Sequence, residues 1–244
     1  AATLLTEQQV TKHFVMAEGL DVPDAEFSFE AAAVTADAPA VTINSIFYSS
    51  ADDKGTLSTE GIYTLNKDAQ MTFGTFPHAG TYEYTVTETA GNADGITYDN
   101  TSYTMTVYVA NDSTGNLAVQ NITVEADNGK QDDLSFTNTY RKNGSLTITK
   151  NTEGNLADKT KDFAFTITFI PSGTESDNVT SYIGKIGSED VTCNIGEETT
   201  FYLHDGESLV FDELPVGTRY VVTEEAAADG YTPSVSVIEN GAQT

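Results

Sequence analysis

The strongest constraint on this 244-residue chain is a pattern that it spells twice. Residues 76–88, FPHAGTYEYTVTE, and residues 214–224, LPVGTRYVVTE, each run from a turn into an alternating strand that ends on glutamate. Strand side chains alternate faces with period two. Tyr82, Tyr84, Val86 and Glu88 therefore share one side, and Tyr220, Val222 and Glu224 share the matching one. Upstream of each copy lies an opening strand with a lysine in its apolar face, QQVTKHFVM (8–16) and GSLTITKNT (144–152). A strand with alternating phenylalanines follows, AEFSFEA (25–31) and KDFAFTITF (161–169). After each glutamate comes a short Ala/Gly/Asp stretch leading to Gly and Tyr, TAGNADGITYD and EAAADGYTPS. An internal repeat of this kind predicts two tandem copies of one β-sandwich module.

Strand formers (Thr, Val, Tyr, Phe), punctuated by Gly, Asn and Asp about every ten residues, predict an all-β fold. The polar turn Arg141-Lys142-Asn143-Gly144 divides the chain into units 1–141 and 142–244. The first unit continues through TSYTMTVYVAN and NLAVQNITVEA to a closing strand, DLSFTNTYR. The second ends in PSVSVIENGAQT, which leaves it about two strands short, the closing one included. A net charge of −26 opposes binding to nucleic acid or anionic lipid. No stretch is apolar for long enough to span a membrane, and no signal peptide is visible. Cys193 is alone, so no intrachain disulfide can form.

Alternation also groups Val10, Lys12, Phe14 and Met16 on one face, and Leu134, Phe136, Asn138 and Tyr140 on another. With the Glu88 face, three apolar faces each carry one polar group: an amine, a carboxamide and a carboxyl. A lone buried charge is costly, so such groups pair, shift pKa or react. Burial favours a neutral amine and a protonated carboxylic acid. A neutral Lys12 is a nucleophile, and the Asn138 carboxamide carbon is an electrophile. Glu88 is expected to polarise the carboxamide oxygen and to shuttle protons. The product is a Lys–Asn isopeptide bond with loss of ammonia, formed once per molecule. The plainer reading is a Lys–Glu salt bridge whose lysine reaches solvent. Recurrence of the pair as Lys150 and Glu224 weighs against it.

These residues, "VTKHF…YTVTE…LSFTNTY" and "SLTITK…YVVTE", resemble the isopeptide-forming, Ig-like (CnaB-type) domains of Gram-positive surface proteins. The nearest likeness is to the major pilins of sortase-assembled pili, of the streptococcal type. The resemblance implies two tandem Ig-like β-sandwich domains in a cell-surface, cell-wall-linked pilus that supports adhesion. It also implies Lys12 joined to Asn138 with Glu88 as promoter, and Lys150 with Glu224 in the second unit. No asparagine in "IENGAQT" fits Lys150, and no Leu-Pro-x-Thr-Gly sorting signal is present. The chain is therefore expected to be a fragment, a processed form or the ordered part of something longer. A split domain whose last strand arrives from another chain is the further expectation. Pilins of this type are joined to other pilin subunits through a surface lysine by a sortase. Among Lys54, Lys67, Lys130, Lys142, Lys159, Lys161 and Lys185, Lys130 in "NGKQDD" fits that position best.

A surface adhesin or carbohydrate-binding module is the main alternative, since the chain has 12 Tyr; it has no Trp, however. A glycosidase needs two convergent carboxylates, whereas Glu88 and Glu224 fall in different repeats. DNGKQDD and NDSTGN do not match an EF-hand loop. His13, His78 and His204 are scattered, so neither a metal nor a cofactor is expected. The chain is expected to modify itself rather than to act as an enzyme.

Overall fold

The computed structural model describes residues 8–171, 178–225, 230–239 and 242–243. Among them the secondary structure is entirely strand, and the chain divides into two compact units, residues 1–142 and 143–244. Residues 226–229, within the second Ala/Asp stretch, lie outside the described residues.

Unit 1 contains β1 Gln9–Ala17, β2 Ala25–Phe27, β3 Phe29–Ala33, β4 Val41–Ile43, β5 Ile46–Tyr48, β6 Ile62–Phe73, β7 Gly80–Glu88, β8 Ile96–Thr97, β9 Ser102–Asn111, β10 Leu117–Ala126, β11 Gly129–Gln131 and β12 Ser135–Tyr140. They form two five-stranded sheets, β4-β6-β1-β12-β8 and β11-β10-β9-β7-β3, with β2 and β5 pairing separately. The inner face of β1 is sealed: Val10, Lys12 and Phe14 have no exposed surface. Tyr82, Tyr84 and Val86 do the same on β7, as do Leu134, Phe136 and Asn138 on and beside β12. Period-two alternation thus delivers one contiguous core, about 25 cal/mol for each Å² of apolar surface removed from water. The opening and closing strands are direct neighbours. β1 runs antiparallel to β6 and parallel to β12, with Lys12 opposite Phe136 and Phe14 opposite Asn138.

Unit 2 contains β13 Asn143–Thr149, β14 Phe163–Ile170, β15 Ser181–Ile186, β16 Glu189–Asn194, β17 Glu198–Leu203, β18 Ser208–Pro215, β19 Arg219–Glu224, and a short pair, β20 Ile238–Glu239 with β21 Ala242–Gln243. The sheets are β13-β18-β15-β16 and β17-β14-β19. Phe163, Phe165, Ile167 and Phe169 of β14 pack with Tyr182, Cys193, Phe201, Leu209 and Phe211. Burial pushes the Cys193 thiol up, which suits an inert core residue.

The two units differ at their edges. Where β1 has a strand on either side, β13 has only β18 among the described residues. Where β7 lies between β3 and β9, β19 has only β14. The inner positions of these edge strands are correspondingly open. Leu146 and Ile148 are half-buried rather than sealed, and Tyr220 leaves 42% of its surface exposed. The second apolar face read from the sequence is therefore only partly covered, because no strand among the described residues lies over it.

Candidate functional site

Glu88 is the last residue of β7, where the strand leaves the sheet and its side chain can cross to the opposite one. There it meets both residues that the alternation singles out. Lys12 Nζ donates to Glu88 Oε1 at 2.8 Å, and Asn138 Nδ2 donates to the same oxygen, also at 2.8 Å. Asn138 sits two residues along β12 from the position opposite Lys12. A diagonal of that kind is about 7–8 Å, within reach of a four-methylene lysine side chain. Lys12 and Asn138 are fully buried and the Glu88 side chain is sealed from solvent. Burial holds the Lys12 amine below the ordinary lysine range, against the Glu88 hydrogen bond and the Glu88 and Asp99 charges, which pull it up.

A residue that sequence reasoning missed completes the site. The backbone N–H of Asp99, between β8 and β9, donates to Glu88 Oε2 at 3.0 Å and to Asn138 Oδ1 at 2.9 Å. A backbone N–H is donor only, so the carboxamide must turn its oxygen to Asp99 and its nitrogen to Glu88. The hydrogen bond to that oxygen comes from the Asp99 N–H, whereas Glu88, which the sequence reading expects to polarise it, meets the nitrogen. Glu88 Oε1 bridges Lys12 Nζ and Asn138 Nδ2.

The alternating phenylalanines also acquire a role. Phe27 lies under the amine, with Lys12 Nζ 4.5 Å from its ring centre, while Phe29 is the strand partner of Glu88. In unit 2, Phe163 lies 4.0 Å under Lys150 Nζ, and Phe165 is the strand partner of Glu224. Each repeat thus builds the same half-site, a lysine over the first Phe and a glutamate paired with the second. Lys150 Nζ donates to Glu224 Oε1 at 2.5 Å, with side chains 11% and 13% exposed. No asparagine among the described residues hydrogen-bonds to this pair. The open flank of β13 is the position that β12, carrying Asn138, fills beside β1.

Lys130 lies on β11, the outermost strand of its sheet, and is exposed. The other lysines outside the two half-sites are mostly engaged. Lys54 donates to Leu20 O, Lys67 to Phe47 O and Asp52, Lys159 to Thr152 O, and Lys185 to Asp190. Among the described residues, the side-chain amines of Lys130 and Lys142 have no hydrogen-bond or ion-pair partner. His204 lies with Asp162 and Glu207 in a partly exposed group. Its Nδ1 and backbone N–H both meet Glu207 Oε2, which makes the group a turn contact.

Residues 8–141 match the model of the Spy0128-like isopeptide containing domain (FctA). The chain belongs to that family. Residues 144–244 match a domain of unknown function, DUF7601. A pilin of Streptococcus pyogenes serotype M1 is 33% identical over 180 residues, covering 70% of this chain and 53% of the pilin. The pilus tip adhesin Cpa of S. pyogenes is 40% identical over 97 residues, 37% of this chain and 13% of the adhesin. The chain thus spans about half the length of the pilin and a small part of the adhesin. Among solved structures, the major pilin T3.2 of S. pyogenes has 27% identity and a TM-score of 0.46 over 94% of this chain and 86% of that one.

Proposed function

We propose that this chain is a structural subunit of a covalently assembled bacterial surface pilus, stiffened by an autocatalytic isopeptide bond between Lys12 and Asn138. One observation carries the reading: nucleophile and leaving group share a single carboxylate oxygen in a sealed site between the first and last strands. Glu88 Oε1 takes a proton from Nζ as nitrogen attacks the carboxamide carbon, then returns one to Nδ2, which departs as ammonia. Fixed geometry and exclusion of water supply the rate. The reaction ends with the bond in place, so the chain is its own and only substrate. Intact mass under denaturing conditions tests this. The folded chain is expected to be lighter by one ammonia, and Lys12→Ala is expected to restore the full mass. A well-folded chain at full mass would remove the reading.

Two partners follow from the same proposal. The exposed amine of Lys130, on an edge strand and without a partner among the described residues, suits a sortase-made link to the next subunit. Replacing Lys130 with Arg should abolish polymer formation in a sortase reaction, and polymer of undiminished length would reassign the link. In unit 2, the open flank of β13 beside Lys150 and Glu224 suits capture of a strand bearing an asparagine. Adhesion is a second reading, favoured by the likeness to the tip adhesin. Binding of the isolated chain to host-cell surfaces or glycans would test it.

A further inference from the structure

Asp99 has an arrangement that an ordinary turn does not require. Its Oδ1 accepts the Thr101 N–H at 2.8 Å, the local contact of an Asx turn. Its Oδ2 accepts the Thr137 N–H at 2.6 Å, a non-local contact to the residue next to Asn138. β8 pairs antiparallel to β12 through Thr97–Thr139, and continuing that register by two residues sets Asp99 opposite Thr137. At that rung the side chain has taken the place of the main chain as acceptor. The Asp99 N–H, released from the ladder, is turned onto Asn138 Oδ1 and Glu88 Oε2.

We propose that Asp99 is a positioning residue for isopeptide formation, its carboxylate clamping the turn to β12 so that its backbone N–H becomes an oxyanion donor to Asn138. The inference rests on the isopeptide reading above. In the addition step the Nζ–Cγ bond forms, the Nζ proton passes to Glu88 Oε1, and the carbonyl electron pair moves onto Oδ1. In the collapse step that pair re-forms the carbonyl, the Cγ–Nδ2 bond breaks, and Nδ2 leaves with the proton from Glu88. Asp99 gains and loses nothing. Its N–H is shared with Glu88 Oε2 at the start. Once Glu88 is protonated, that oxygen is the weaker acceptor and the donor turns to the developing oxyanion. The contact is therefore stronger in the transition state than before it, which is the condition for acceleration.

The test uses the full chain, recovered unfolded and unlinked, refolded by dilution and followed by intact mass over time. Asp99→Ala keeps the N–H but releases the clamp, and should cross-link about 10–100-fold more slowly, since small misplacements of reacting groups cost that much. Asp99→Asn keeps one acceptor oxygen for two N–H groups and should recover most of that loss. The Asp99 charge also raises the Lys12 pKa, so rates are compared at the alkaline plateau, where the amine is neutral in every variant. There a clamp still leaves Asp99→Asn slower than the parent, whereas a purely electrostatic role makes the two equal. Equal plateau rates, or Asp99→Ala linking as fast as the parent, overturn the inference while leaving the bond intact. If Asp99→Ala does not fold, the Asp99→Asn plateau decides. A parent chain that never loses ammonia overturns the isopeptide reading itself.

Discussion

Replacing Glu88 with glutamine separates the chemistry from the packing. Glutamine has the same shape and can still accept the Asp99 N–H, but it cannot take a proton from Lys12. The chain should therefore fold with Lys12 and Asn138 in place and never join them. The bond closes a loop of about 126 residues (138 minus 12), and constraining a loop of that size in the unfolded chain is worth about 5 kcal/mol by the disulfide analogy. Unit 1 spans residues 1–142, for which the entropy of unfolding is about 0.3 kcal/mol/K. The midpoint of thermal unfolding should then fall by about 17 °C. The assay is calorimetry of the parent and the Gln variant, paired with intact mass of each. A variant that loses ammonia as completely as the parent refutes Glu88 as the proton carrier. A variant that stays unlinked yet melts with the parent refutes the loop-entropy estimate.

Phe27→Ala should slow cross-linking, because it removes the ring under the Lys12 amine and admits water; it should also cost roughly 3–5 kcal/mol of stability, read by denaturant titration. Unchanged linking kinetics would count against water exclusion. The mass deficit should be one ammonia and not two, since no asparagine among the described residues meets Lys150 or Glu224; a second loss mapped to Lys150 by peptide mass would contradict the open-edge account. Alkali should unfold unit 1. Burial pushes the Tyr84 hydroxyl up to about 12 and raises those of Tyr48 and Tyr103. The unfolded chain ionises near pH 10, so this stability is complete below that value and is lost as pH climbs towards 12. Ionisation of all 12 tyrosines near pH 10 with the fold intact would contradict it.

Much of the site was legible because period-two alternation is a strict rule on a sealed face. Lys12, Asn138 and Glu88 could be assigned to inner faces without knowing how the strands pair, and the recurrence of Lys150 and Glu224 tied the faces together. Other features escaped. The alternating phenylalanines were visible as a repeat, but their division of labour, one under the amine and one beside the glutamate, needs the β3–β7 and β14–β19 registers. Asp99 was hidden because its contribution is a main-chain N–H, which every residue except proline carries; only the path of the turn aims it. Short strands such as β4, β8 and β11 were likewise missed, since two or three residues display no period. The half-covered state of Tyr220 followed from an edge that alternation alone does not reveal.

The parallel pairing of β1 with β12 also determines how tension would travel. Load drawn from the N-terminal end of β1 and the C-terminal end of β12 acts along the strands, so without a bond the rungs from Thr11–Ser135 to Met16–Tyr140 would have to shear together. With Lys12 joined to Asn138, force enters at one residue and leaves at the other through a single amide. The chain between them is bypassed and cannot pay out length. Unit 1 would then behave as an inextensible link, and any give in the chain would come from elsewhere.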